Sequence, residues 1–349
     1  MANLDLEAIH AWVDEQWESH VLPSLSDFIE IPALSPAFDE DWAANGYLDD
    51  TIDLFLGWLT SLPMKGMSCN VHRLEGRTPV LTITIEGTGE GEVLFYSHLD
   101  KQPPVTGWSE GKGPWLPVRE DPWLYGRGSV DDGYGGYLSV LSILALQQHG
   151  IPHPKATYLI ETCEESGSFD LPAYLDELSD TLGTPDLVVV MDSGAGDYER
   201  LWVTTSLRGL VGGTLKVGVC EEGVHSGMAG GIIPSSFRIA RSIISRIEDE
   251  STGQVLLPEL SVDISDELHG EAQGIADVLG EKVWTDLPAL GGVEPQTPGL
   301  KEIVLSGNWR PSLSVTGVDG MPSLKNAGNV LRTHTSFKLS MRIPPGVDA

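Results

Sequence analysis

Four short stretches of the 349-residue chain carry ionisable side chains that a fold can bring together. "SHLD" gives His98 and Asp100, "VDDG" gives Asp131 and Asp132, "CEESG" gives Glu164 and Glu165, and "MDSG" gives Asp192. Three of them end a run that reads as a β-strand, and the Asp pair opens an apolar helix. Singly, each has an ordinary explanation. An Asp at a helix start caps the dipole, and two adjacent Glu residues make a solvated turn. Gathered on one edge, one imidazole and several carboxylates repel one another unless cations neutralise them. That donor mix suits zinc, manganese or cobalt better than calcium, whose shells are all oxygen. His98 and Asp100 are two residues apart and share one side of a strand. Asp100 can therefore accept from the second ring nitrogen of His98 and fix its tautomer. Asp131, at a helix start, can bridge two ions. Two ions roughly 3.5 Å apart would share a water and lower its pKa toward neutrality. Such a water needs a base.

These groups need a scaffold. Strands read over 79–87, 91–100, 155–167 and 186–194, and helices over 4–31, 49–62, 131–150 and 170–182. The helix over 131–150 is apolar on most sides, hence buried, and Gly150 and Pro152 stop it. Alternating strands and helices predict an α/β fold with a mostly parallel sheet. Continuous apolar runs in the strands agree, because central parallel strands are covered on both faces. In open α/β sheets, ligands bind outside the carboxyl ends of the strands, where the four stretches fall. Near residue 203 the pattern changes. Residues 201–219 read as strand, glycine bend, strand. A helix over 234–250, a loop-rich segment and strands over 312–320 and 336–345 follow. The expected division is a metal-binding catalytic domain over 1–202 and a smaller α+β lid domain over 203–349.

Net charge is −30 with a pI near 4.4. Nucleic acids and anionic membranes both demand basic patches, so neither is an expected partner. Most of the acids read as solvated surface. Three scattered cysteines without a CxxC fit a reducing compartment, hence the cytoplasm. The first twenty residues lack the basic-then-apolar pattern of a signal peptide. No apolar stretch approaches the ~20 residues of a membrane span.

Taken jointly, the motifs resemble the dinuclear-zinc metallopeptidases that include carnosinases, cytosolic nonspecific dipeptidases, aminoacylase and glutamate carboxypeptidases. That family places His-x-Asp after a strand, Gly-Arg-Gly-x-x-Asp before a helix, Glu-Glu after the next strand and Asp after the one following. Here these stand as "HLD" (98–100), "GRGSVDD" (126–132), "EESGS" (164–168) and "MDSG" (191–194). The "EESGS" form looks most like the dipeptidase branch. The resemblance implies two divalent ions, zinc first with manganese or cobalt as alternatives. It implies His98, Asp131, Glu165 and Asp192 as ligands with Asp131 bridging, Asp100 as orienting carboxylate and Glu164 as general base. It also implies substrate contacts from the lid. "GVHSGMAGG" (223–231) supplies His225 to polarise the scissile carbonyl, "NV" supplies Asn329, and "MRIPP" supplies Arg342, whose fork suits a carboxylate. A homodimer through the lid belongs to the same pattern. The implied activity is hydrolysis of dipeptides or short peptides. The alternatives are N-acyl amino acid deacylation, or metal and peptide binding without turnover.

Two departures stand beside the motifs. After its His-x-Asp the family usually reads Asp-Val-x-Pro; here Asp100 is followed by Lys101, Gln102 and Pro103. Where it has Asp-Asp-Lys-Gly, this chain has Asp131, Asp132, Gly133 and Tyr134. The family also continues well past its "RxPP" strand and supplies a last histidine ligand there. The expectation is that residues 1–349 lack that ligand and the closing elements of both domains, which weakens the second ion. Trp108, Trp115 and Trp123 read as loop packing or cleft lining, and Cys163 as a small buried hydrophobe.

Overall fold

The structure, a computed structural model, describes residues 5–349. It divides into two compact units, one ending at Gly194 and the other spanning Ala195–Ala349.

The first unit opens with α1 (Leu6–Gln16), a π turn (Trp17–Val21) and α2 (Leu22–Glu30) in direct succession. Of the two readings of residues 4–31, one amphipathic helix or a helix pair, the structure has the pair; the first residue, Leu4, lies outside the described residues. The Asp5 carboxylate caps α1 by accepting the Ala8 N–H at 3.0 Å. Pro32 excludes the helical conformation at Ile31, which is extended (ψ 118°), so α2 stops there. Helix α3 (Tyr47–Ser61) follows, then β1 (Met67–His72), β2 (Val80–Ile85), β3 (Glu92–His98) and a small hairpin, β4 (Val118–Glu120) with β5 (Trp123–Tyr125). Helix α4 (Gly133–Gln148), β6 (Lys155–Glu161), α5 (Leu171–Glu177) and β7 (Leu187–Val190) complete the unit.

The sheet order is β1-β2-β6-β3-β7. It is mixed: β6, β3 and β7 run parallel, while β2 is antiparallel to both β1 and β6. Parallel neighbours need long crossovers, and α4 and α5 supply them. On one face α4 packs its Tyr137, Val140, Leu141 and Leu144 among Phe55, Trp58, Ile83 and Ile160. On the other, Tyr174, Leu178 and Leu182 cover Val80 and Leu159. Each large side chain so buried contributes about 1.5–3 kcal/mol. Coverage on both faces fits the apolar middles of β2 and β6, whereas the edge strand β7 leaves Leu187, Val188 and Val190 exposed.

Strand β6 ends at Glu161, short of the expected 167. Asp100 takes the next backbone donors, the Glu164 and Glu165 N–H groups, so the ladder cannot continue. Glu164–Ser166 form a 3₁₀ turn instead, closed by Gly167 at φ +89°.

The second unit holds a three-stranded antiparallel sheet of β8 (Gly209–Gly218), β10 (Ser312–Asp319) and β12 (His334–Ile343), with β12 central. A two-residue pair, β9 (Val224–His225) with β11 (Val330–Leu331), lies outside it. Helix α6 (Ser236–Ile244) lies on the sheet through a Phe237–Phe337 ring contact and a Ser236–Thr335 hydroxyl bond. Of the strand–bend–strand expected over 201–219, residues 201–208 form no strand and Gly209–Gly218 form one unbroken strand. Gly212 and Gly213 sit inside its ladder opposite Ser340 and Leu339, because glycine adopts the extended state as readily as a bend. The expected loop-rich segment contains α7 (Asp266–Leu279) and α8 (Leu300–Asn308), packed through Ala272, Ala276, Val304 and Leu305. Small alanines in place of large apolar residues hid the α7 stripe.

Candidate metal centre

Strand register sets the site. β3 and β6 run side by side with His98 opposite Glu161, and β7 lies on the other side of β3. The three carboxyl ends therefore release 98–100, 164–165 and 192 on one edge, and the start of α4 delivers Asp131 and Asp132 to it. Close packing holds α4 there. A Cβ on Gly135 would sit 2.5 Å from Asp132 Oδ1 and 2.7 Å from Met191 Cβ. The Tyr134 hydroxyl donates to the Met191 carbonyl at 2.9 Å, tying α4 to the residue before Asp192.

His98 is fully buried. Its Nδ1 lies 3.1 Å from the Asp100 backbone carbonyl and 3.4 Å from Asp100 Oδ1. Its Nε2 faces acids: Asp131 Oδ1 at 3.2 Å, Glu164 Oε2 at 3.8 Å and Asp192 Oδ2 at 3.8 Å. Among the described residues, two groups bring one ligand atom per residue within 4.8 Å of one another: His98, Asp131 and Glu165; and His98, Glu164 and Asp192. The structure thus brings together all six residues that the sequence assigned to catalysis and metal. Two details differ from expectation. The Asp100 carboxylate also accepts the Glu164 and Glu165 N–H groups, at 3.1 and 3.0 Å, and its backbone carbonyl, at 3.1 Å, lies nearer the His98 ring than Oδ1 at 3.4 Å. Glu164 stands within ligand range of His98 and Asp192, as Glu165 does of His98 and Asp131.

Three neighbours that the sequence left without a role complete the site. Asp132 is buried; its Oδ2 accepts the His98 backbone N–H at 3.3 Å and its Oδ1 has no partner. Glu161 is buried, with the Tyr96 and Ser168 hydroxyls donating to Oε1 at 2.6 and 2.8 Å and Oε2 left without a partner. An acid in an otherwise apolar strand was the available signal. Gln102 donates to Glu165 Oε2 at 2.6 Å; nothing in its spacing marks it.

Charge crowding displaces the pKa values of the site. Burial opposes charge on the His98 ring, but hydrogen bonds to Asp100 and Asp131 overcome it and lift the pKa to about 11. The His98 hydrogen bond holds Asp131 below the usual carboxylate range. Burial pushes Asp132 up to about 8 and Glu165 up to about 7, and raises Glu164 and Asp192 as well. Without a cation the acids are relieved only by binding protons. A divalent ion would do the same with one imidazole and several carboxylates as donors. The acceptors left buried and unpaired, Asp132 Oδ1 and Glu165 Oε1, fit that reading.

In the second unit, His225 ends β9 and its Nδ1 accepts the Gly227 N–H at 3.1 Å. The Asn329 carbonyl accepts the Ser226 N–H at 2.9 Å, so His225 and Asn329 are neighbours across the β9–β11 pair. Arg342 stands on β12, opposite Ser312 and Leu210, with its side chain exposed.

A model of the peptidase family M20/M25/M40 matches residues 94–311, well over half of the chain. This chain belongs to that family. It is 29% identical over 264 residues to a Cys-Gly metallodipeptidase of Candida albicans, covering 74% of this chain and 53% of that protein. It is 26% identical over 263 residues to the human Beta-Ala-His dipeptidase, covering 73% of this chain and 50% of the relative. The chain thus spans about half the length of these curated relatives. Its fold matches the crystal structure of human carnosine dipeptidase 1, with TM-score 0.70 and 20% identity over 98% of this chain and 73% of that one. It matches the M20 metallo-carboxypeptidase of Sulfolobus solfataricus with TM-score 0.73 and 20% identity over 94% and 72%. No helix among the described residues is long and apolar enough to cross a membrane.

Proposed function

We propose that this chain carries the metal centre of a hydrolase that cleaves the amide bond of dipeptides or short peptides. The observation that supports it most is the His98 Nε2 atom, buried and faced by Asp131, Glu164 and Asp192 at 3.2–3.8 Å. In this reading His98, Asp131, Glu165 and Asp192 hold two divalent ions, zinc or else manganese or cobalt. Bound there, the ions supply Lewis acidity to water and to a peptide carbonyl. The chain's own residues do the rest. Asp100, through its backbone carbonyl, accepts the Nδ1–H of His98 and leaves Nε2 free as a donor atom. Its carboxylate fixes the Glu164–Glu165 turn. Glu164, its carboxyl raised by burial, takes a proton from water and passes it to the leaving amine.

From the family resemblance we carry over His225 and Asn329 as substrate contacts and Arg342 as the guanidinium for a substrate carboxylate. The same resemblance supports a homodimer through the second unit. The free Cys69, Cys163 and Cys220 support a cytoplasmic setting. The test is dipeptide hydrolysis with added zinc or manganese, alongside metal binding. Glu164→Gln is expected to lower kcat about 10²- to 10⁴-fold while the ions still bind. Turnover that survives the substitution removes Glu164 as the base.

A further inference from the structure

The two residues after His-Leu-Asp reach in different directions. Gln102 donates its Nε2–H to Glu165 Oε2 at 2.6 Å. The other oxygen, Oε1, is buried, accepts no hydrogen bond, and belongs to a residue grouped with His98 and Asp131. A glutamate rotates about three side-chain bonds, and its terminal carboxylate turns in a broad, two-fold well. One fixed donor on Oε2 therefore decides which oxygen faces the cluster.

Lys101 reaches away from the acids. It is fully buried, and its ammonium donates to the Phe28, Ile31 and Ile29 carbonyls at 2.6, 2.7 and 3.4 Å. These lie at the C-terminal end of α2 and just after it, where the Phe28 and Ile31 carbonyls also accept the Ile31 and Ala33 N–H groups. The same ammonium lies 3.9 Å from the centre of the Phe28 ring. The Lys101 backbone is held too, its N–H by the Ala33 carbonyl at 2.9 Å and its carbonyl by the Ser35 N–H at 3.0 Å. Lys101 makes no ion pair with a carboxylate among the described residues, so it does not serve to neutralise the cluster. Its many anchors hold the backbone from which Gln102 extends.

We propose that Gln102 is a positioning residue that aims Glu165 Oε1 at the metal, and that Lys101 fixes the chain end from which Gln102 acts. The proposal rests on the reading of Glu165 as a ligand.

The test is calorimetric titration of the purified chain with Mn²⁺ and Zn²⁺, together with the visible spectrum of the Co²⁺-loaded chain. The variants are Gln102→Leu, Lys101→Met, their double and Glu165→Gln. Gln102 is half-buried and its amide reaches only Glu165, so Gln102→Leu is expected to fold with an unchanged metal-free Tm. It is expected to weaken binding about 10- to 100-fold, as loss of an outer partner does, and to alter the Co²⁺ bands. Binding within about twofold of wild type, with unchanged bands, overturns the proposal. Lys101→Met is expected to weaken binding less, and the double variant no more than Gln102→Leu alone, because the two act as one unit. Effects that multiply overturn the part given to Lys101. Glu165→Gln separates the two levels. If it binds like wild type, the ligand reading fails and the proposal with it. If it loses the ion while Gln102→Leu does not, only the positioning role fails.

Discussion

The two units handle their functional candidates in opposite ways. In the first, His98, Asp100 and Asp132 are buried, and every neighbouring acid is held by a backbone N–H, a hydroxyl, an amide or the imidazole, or is displaced in pKa. In the second, His225, Asn329 and Arg342 are all exposed, and Arg342 stands without an ion pair among the described residues. The sheets repeat the contrast: β2 is buried almost throughout, while β8 is exposed over its first six residues. Burial is what makes charge chemistry strong, since low dielectric magnifies each interaction. Under the proposed function, His225, Asn329 and Arg342 would meet an arriving substrate, and exposure leaves them free to do so.

The comparison can be broken by substitution. His98→Ala is expected to have the largest effect, because His98 belongs to both ligand groups. Calorimetry should show Mn²⁺ and Zn²⁺ binding weakened by more than about 100-fold, beyond the loss of any outer partner. Asp100→Asn comes next. The Glu164 and Glu165 N–H groups bond to different oxygens of Asp100, and an amide puts an NH2 group in place of one of them; a donor left unpaired costs about 1–3 kcal/mol when buried, readable as a lower midpoint in urea. Arg342→Ala should be the quietest, within about 0.5 kcal/mol in stability and unchanged in metal affinity. If Arg342→Ala weakened the metal as His98→Ala does, the contrast between the units would be void.

Acidity sharpens the same point. Asp132 and Glu165 ordinarily titrate at 3.8 and 4.5, but fold with values of about 8 and about 7. The metal-free fold therefore binds more protons than the unfolded chain, and this contribution to stability is present at low pH and lost as pH rises through about 7 to 8. His98, raised from 6.5 to about 11, adds to the loss above neutrality. Lys101, lowered by burial from 10.5 to about 7, has the opposite sign only above neutrality. The clean window is thus about pH 4.5 to 7. Urea titrations with EDTA should show stability falling across it. With Mn²⁺ at fixed concentration the trend should reverse, because the ion needs deprotonated ligands.

The motifs were readable because each is local. "HLD", "EES" and "MDSG" end apolar runs, and the period of those runs already names strands. The roles of Asp132, Glu161 and Gln102 were not readable, since each matters through a partner 34, 65 or 63 residues away. The end of β6 was misjudged for the same reason: a carboxylate on another strand takes the donors that the ladder would have used. In the second unit, α7 hid behind Gly270 and Gly274, which lower helix propensity, and behind its alanines, which lower apolar contrast.

One consequence follows from the way His98 is held. With Nδ1 turned to Asp100, the ring has one nitrogen, and so one lone pair, for two ligand groups. If the centre takes two ions as proposed, only one of them can bind Nε2, and among these residues the other would find oxygen donors alone. A titration should therefore resolve two unequal steps, with zinc preferring the nitrogen-bearing position and manganese competing best for the other.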